Sequence, residues 1–93
     1  MGIASTWAWL KSIFTQAQIQ ADTGLSSGPI VSSMVVDASL QADGTSWITE
    51  RHVDDLGEEH IQIYRAEPYA DIKATLEANA VVIGATIAAL RAP

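Results

Sequence analysis

Two turn signals, Asp43-Gly44 and Asp55-Leu56-Gly57, cut the stretch from Met34 to Arg65 into three short strand-like runs, and nothing else in the chain constrains the fold as tightly. Asp-Gly suits a two-residue hairpin loop, which needs positive φ at both central residues, and Gly57 suits the left-handed position of a three-residue bulged loop. These loops set a register with Leu40 opposite Trp47, Ala38 opposite Thr49, Arg51 opposite Ile61 and Thr49 opposite Ile63. One face then collects Met34, Val36, Ala38, Leu40, Trp47, Thr49, Val53, Ile61 and Ile63. The other collects Asp37, Ser39, Ile48, Glu50, His52, His60, Gln62 and Tyr64. The expectation is a small antiparallel meander, with strands over 33–41, 45–54 and 58–66 and the first of these faces buried.

Helical periodicity flanks the sheet on both sides. Over 5–21, Trp7, Leu10, Phe14 and Ala17 recur at helical spacing beside Ile3 and Ile13, with Ser5 or Thr6 as the cap. The opposite side of this helix holds Ser12, Thr15, Gln16 and Gln18, and Lys11 is its one charge. Gly24 offers a left-handed stop, and the Gly/Ser-rich stretch 24–33 reads as a connector through which Pro29 prevents continuous helix. A second helix opens near Pro68 or Tyr69 and runs to about Leu90. Its seam is Ile72, Leu76, Ala80, Ile83, Ile87 and Leu90. Val81, Val82 and Ala85 widen the seam until Ala80–Leu90 is apolar nearly all round. That run is about half of the ~20 residues a membrane span needs, so no span is expected.

The expected fold is therefore α+β: an N-terminal helix, a three-stranded antiparallel β-meander and a C-terminal helix packed on the apolar sheet face. The parts are an N-terminal helical arm over 1–23, a connector over 24–33 and a sheet-plus-helix domain over 34–93.

Composition narrows the function. With 93 residues the chain is one small domain, and 48% hydrophobic content is more than such a domain buries easily by itself. It has no cysteine, so neither disulfides nor thiolate metal sites supplement the core. Association with other chains is the remaining outlet. The net charge of −6 and the few, scattered basic residues argue against nucleic acid and against anionic membrane surfaces. Met1-Gly2-Ile3-Ala4-Ser5-Thr6 fits a minimal myristoylation pattern, but no polybasic stretch supports it. The stretch 7–19 is too periodic, and too interrupted by Lys11, for a signal-peptide core, so an intracellular origin is expected.

Candidate chemistry is sparse. His52 and His60 face each other in the inferred register with Cβ atoms about 5 Å apart, and Glu50 lies two residues away on the same face. Two imidazoles and a loosely placed carboxylate fall short of a usual zinc ligand set, and solvent-facing histidines are commoner, so no metal or other cofactor is expected. Asp37 and Glu50 also fall opposite each other, but an open sheet face lacks the cleft that tunes an acid/base pair. No serine sits in a nucleophile elbow and no glycine loop is built for phosphate, so no catalytic residue is assigned. Trp7 and Trp47 fit core positions. Trp9 falls off the main stripe and is placed at a partner surface, where tryptophan is a common anchor.

The run from Ala42 through Asp43, Gly44, Thr45, Ser46, Trp47, Ile48, Thr49, Glu50, Arg51, His52 and Val53 to Asp54, followed by Gly57, His60, Tyr64 and an Ala-rich final helix, resembles short proteins encoded among the tail and virion genes of tailed bacteriophages. The resemblance covers about residues 36–80 and carries no catalytic residues. It implies a non-enzymatic structural subunit of a larger assembly, a virion or tail accessory protein located in the virion after assembly in the host cytoplasm. The partners are then other protein subunits, and the apolar surfaces of the two expected helices, not the resemblance, place Trp7, Trp9, Leu10, Phe14, Val82, Ile83, Ile87 and Leu90 at the interface. The competing expectation is a small acidic protein-binding module or regulator, cytoplasmic in location.

Overall fold

The computed structural model describes residues 26–93. The helix expected over 5–21, and with it the arm over 1–23, lies outside the described residues. Within them the chain is α+β: β1 (Ile30–Leu40), β2 (Ser46–Asp54), β3 (Glu59–Ala66) and α1 (Ile72–Arg91). The strands form one antiparallel sheet in the order β1-β2-β3.

The β2–β3 loop takes the expected form. Asp54 N donates to Glu58 O at 3.0 Å, Gly57 N donates to Asp54 O at 3.0 Å, and Gly57 has φ +82°. The β1–β2 loop departs from expectation. Gln41 N donates to Thr45 O at 2.8 Å and Gly44 N to Gln41 O at 3.1 Å, so Ala42-Asp43-Gly44 forms a three-residue loop of the same kind. Gly44 carries the positive φ, +88°, and Asp43 does not. A three-residue loop needs one left-handed residue where the two-residue loop needs two. Asp43 Oδ1 accepts instead from the Thr45 amide at 3.1 Å and the Thr45 hydroxyl at 2.6 Å.

That one-residue change moves the register. Ala38 faces Ile48 and Leu40 faces Ser46, and the bulges at Val36 and Val31 each shift the pairing by one further residue. The pairings of β2 with β3 match expectation, including Arg51 with Ile61 and Thr49 with Ile63. Asp37 now faces Thr49, so the like-charge pairing with Glu50 does not arise.

The larger correction concerns which face α1 covers. It packs on the face bearing Ser46, Ile48, Glu50, His52 and Asp54, all buried, rather than on the face of Trp47, Ile61 and Ile63. A one-step slip moves a strand's side chains to the other face, and here it brings Ala38 and Leu40 over to join Ile48 and Tyr64. With Ile30, Val35 and Ala66 they make an apolar bed for Ile72, Leu76, Ala80 and Ile87. Full burial of Ile30, Ile48 and Leu76 contributes about 1.5–3 kcal/mol each.

The chain enters α1 through a tight turn. Ala70 N donates to Glu67 O at 3.2 Å, with Pro68 and Tyr69 between them and Tyr69 at φ +69°, a conformation that side chains with a Cβ rarely adopt. The turn delays the helix start from Pro68 or Tyr69 to Ile72, where Asp71 Oδ1 accepts from Ala74 N at 3.0 Å as the cap. The helix lies mainly along β1 and less on β2. Gly84 lets it approach closely: a Cβ there would stand 2.6 Å from Ser27 O. Ser27 begins a two-residue hairpin with Ile30, each amide donating to the other's carbonyl at 3.0 Å, and Gly28 at φ +56° precedes Pro29 in its loop. β1 thus begins inside the stretch expected as connector.

Candidate functional site

Four features compete as the functional site, and the first is a polar chain sealed under α1. His52 Nε2 donates to Glu50 Oε1 at 2.9 Å, and Ser33 Oγ meets His52 Nδ1 at 2.6 Å. With Nε2 used as donor, a neutral ring leaves Nδ1 to accept the Ser33 hydroxyl. Asn79 Nδ2, from α1, donates to the same Glu50 oxygen at 3.0 Å. Burial, with Glu50 beside it, pushes the Tyr64 hydroxyl far above its ordinary pKa. The Tyr64 hydroxyl and Glu50 Oε2 nevertheless stop short of a regular hydrogen bond, and each lacks another partner among the described residues.

Serine, histidine and glutamate in a row have the composition of a hydrolytic triad. A nucleophile must meet its substrate, however, and Ser33, His52 and Glu50 are all closed off from solvent. The chemistry this arrangement supports is fastening: a hydrogen-bonded path from β1 through β2 to α1.

The second feature is a clasp at the β2–β3 loop. Buried Asp54 accepts from the Leu56 amide at 2.9 Å and the Glu58 amide at 3.0 Å through Oδ1, and from His60 Nε2 at 2.8 Å through Oδ2. Arg91, at the end of α1, reaches the same Oδ2 at 3.5 Å and donates to Asp55 Oδ1 at 2.6 Å. The His60 hydrogen bond, aided by the Glu58 and Leu56 amides, holds the Asp54 carboxyl below its ordinary value although burial opposes this. The contact with Asp55 outweighs burial and holds Arg91 even more firmly charged than usual. His52 and His60 are register partners as expected, but their rings serve different carboxylates and do not converge on one point. Asp54, Glu58 and His60 place potential ligand atoms within 4.8 Å of one another, yet Arg91 already supplies positive charge there.

The third feature is the open face of the sheet. Trp47, Ile61 and Ile63 are 45%, 53% and 59% exposed. Met34, Thr49 and Val53 complete the apolar area, and no described residue covers it. Charged side chains interrupt it: Arg51 on the central strand stands between Met34 and Ile61, and Asp37 on β1 faces Thr49. Arg51 spans the strands, its Nη2 donating to Met34 Sδ at 3.2 Å and its Nη1 lying 3.7 Å from Glu59. Arg65 binds Thr45 Oγ1 at 2.9 Å and pairs with Asp43.

The fourth feature is the outer ridge of α1, where Val81, Val82 and Leu90 are 56%, 63% and 82% exposed, with Ala85 and Ala89 among them. Of the residues expected at a protein interface, Val82 and Leu90 lie on this ridge, Ile83 is half-buried, and Ile87 is buried against the sheet. Trp7, Trp9, Leu10 and Phe14 lie outside the described residues. The sequence reading missed Ser33 and Asn79 altogether, because their roles depend on partners 19 and 29 positions away. By length and composition alone, α1 is apolar enough to cross a bilayer, which counting only Ala80–Leu90 did not anticipate. A helix that packs on a sheet passes the same test, and α1 is fixed to its sheet through Asn79 and Arg91.

No family model, curated protein or solved structure matches the chain.

Proposed function

We propose that this protein is a non-enzymatic structural subunit of a larger protein assembly, docking through the outer ridge of α1, and that its concrete form is a virion or tail accessory protein of a tailed bacteriophage. The observation that carries the assembly reading is the apolar character of α1 on both sides. Ala80, Gly84 and Ile87 are turned to the sheet, while Val81, Val82 and Leu90 stand in the open. Burying one such valine or leucine against a partner contributes about 1.5–3 kcal/mol. The polar chain supports the same reading, since its reactive groups are spent on fastening α1. The phage assignment rests on the resemblance over about residues 36–80.

Light scattering during gel filtration tests the proposal. The full chain should elute as a defined oligomer, and Val82→Glu with Leu90→Glu should reduce it to a monomer with unchanged circular dichroism. A folded wild-type monomer would instead favour a small acidic binding module, for which the net charge of −6 speaks. Flotation of the wild-type chain with liposomes, lost in the double variant, would overturn the proposal in favour of a membrane-docking ridge.

A further inference from the structure

We infer that two copies of this chain join along β3, edge to edge and antiparallel, with Glu59 of each copy opposite Arg65 of the other and Ile61 opposite Ile63, so that two three-stranded sheets become one continuous sheet. This contact is separate from the docking ridge of α1, and neither reading depends on the other.

The backbone supplies the first half of the argument. β3 ends the sheet, and among the described residues no strand pairs with its outer edge. The bond from Asp54 N to Glu58 O fixes which residues turn inward. Hydrogen-bonded pairs alternate along an antiparallel ladder, so His60, Gln62, Tyr64 and Ala66 bond to β2, while Glu59, Ile61, Ile63 and Arg65 aim their N–H and C=O groups outward. An edge of this kind is a template for another strand unless something blunts it. β1 is blunted: it carries two bulges, and the Ser27–Ile30 hairpin occupies its start. β3 pairs with β2 without a bulge and holds neither proline nor lysine. α1 lies mainly along β1 and less on β2, so it stands back from the β3 edge.

The side chains choose the occupant. Glu59, Ile61, Ile63 and Arg65 share the open face, since their register partners are Val53, Arg51, Thr49 and Trp47. Read from either end, their order is charge, isoleucine, isoleucine, charge, with the two charges opposite in sign. An antiparallel second copy centred on Gln62 therefore sets Glu59 against the second copy's Arg65 at one end, and the reverse at the other. Between them Ile61 meets Ile63 twice. The same register opposes outward-facing residues only to outward-facing residues, as the ladder requires. Moving one strand by two residues, the smallest step that keeps this condition, sets Glu59 against Ile63 or Arg65 against Ile61. Opposite charges and apolar pairs directly across a ladder stabilise it, so the centred register prevails. Glu59 and Arg65 both stand about half in water, and their present partners, Arg51 and Asp43, lie in their own chain. A seam of eight residues buries less than the ~800 Å² per partner of a standard interface, so this dimer should form reversibly and at high concentration.

Amide hydrogen exchange on the nitrogen-15 labelled full chain tests the contact. At high protein concentration the amides of Ile61, Ile63 and Arg65 should exchange slowly. Slow exchange at Gln62 and Tyr64, which face β2, reports in every sample that the sheet is folded. Glu59→Arg and Arg65→Glu, each alone, set like charges across the seam and should speed exchange at the edge amides several-fold. An equimolar mixture of the two variants should restore slow exchange, since each chain then meets the opposite charge in the other. Fast exchange at Ile61 and Ile63 in the wild type would overturn the inference. So would edge protection that survives both single variants, or a mixture that fails to restore it. The readout is confined to β3, so an oligomer held by the α1 ridge alone leaves it unchanged and is scored apart.

Discussion

Replacing Glu50 by alanine distinguishes the observed burial from the opposite choice of face. In the structure Glu50 is fully buried, and its Oε1 accepts from both His52 Nε2 at 2.9 Å and Asn79 Nδ2 at 3.0 Å. Removing the carboxylate leaves two buried donors unpaired, at about 1–3 kcal/mol each. Breaking a buried pair by deleting one partner costs a comparable ~3–5 kcal/mol. Set against the roughly 5–15 kcal/mol total of an ordinary domain, this is a large fraction. At about 4–8 °C per kcal/mol for a domain of this size, Glu50→Ala should melt at least ~12 °C below the wild type. Thermal and urea unfolding at pH 7, followed by circular dichroism, gives the value. Glu77→Ala, on the exposed side of α1, is the control and should stay within about 0.5 kcal/mol of the wild type. If Glu50→Ala also stays within that margin, the carboxylate is in water and α1 covers the other face. The reasoning about the polar chain then fails with it.

Gly84→Ala gains about 1 kcal/mol of helix propensity, but its Cβ would meet the Ser27 carbonyl oxygen at 2.6 Å and Pro29 Cδ at 3.5 Å. Overpacking against backbone costs up to about 3 kcal/mol, so urea unfolding should show a net loss of ~1–2 kcal/mol; a net gain would mean that the Ser27 turn yields freely. Asp54 titrates below its ordinary value of 3.8 when folded, so its contribution is complete above that value and is lost as pH falls through the folded pKa. Asp54→Asn should therefore be less stable than the wild type at pH 6, and the gap should close on acidification below about pH 4; a gap that persists there would mean that the aspartate's charge does not hold His60 and Arg91.

Local chemistry made much of the sheet legible in advance. Gly57 fixed the second loop, that loop fixed the register of β3, and the opposition of His52 and His60 followed. The inner seam of α1 was equally readable, since Ile72, Leu76, Ala80 and Ile87 recur at helical spacing. The first loop was not, because Asp-Gly serves a two-residue and a three-residue hairpin alike. That single residue decided the parity of half of β1, and the bulge at Val36, which leaves no mark in the side-chain pattern, restored it. The polar chain escaped for a different reason. Ser33, Glu50 and Asn79 look like surface residues until α1 closes over them, and only the tertiary fold brings them together.

Apolar burial and this chain of bonds favour the same face. The covered face offers Ile30, Val35, Ala38, Leu40, Ile48, Tyr64 and Ala66, whereas the open face interrupts Met34, Trp47, Val53, Ile61 and Ile63 with Asp37, Arg51 and Glu59. Seating α1 on the first face buries a carboxylate and an imidazole, which is costly unless both are paired. Asn79 and Ser33 supply those pairings on that face. On the opposite face Arg51 and Glu59, 3.7 Å apart and partly in water, offer α1 no comparable buried acceptor. The bond from Asn79 to Glu50 therefore adds a polar fastening between α1 and β2 to the apolar contacts of that face.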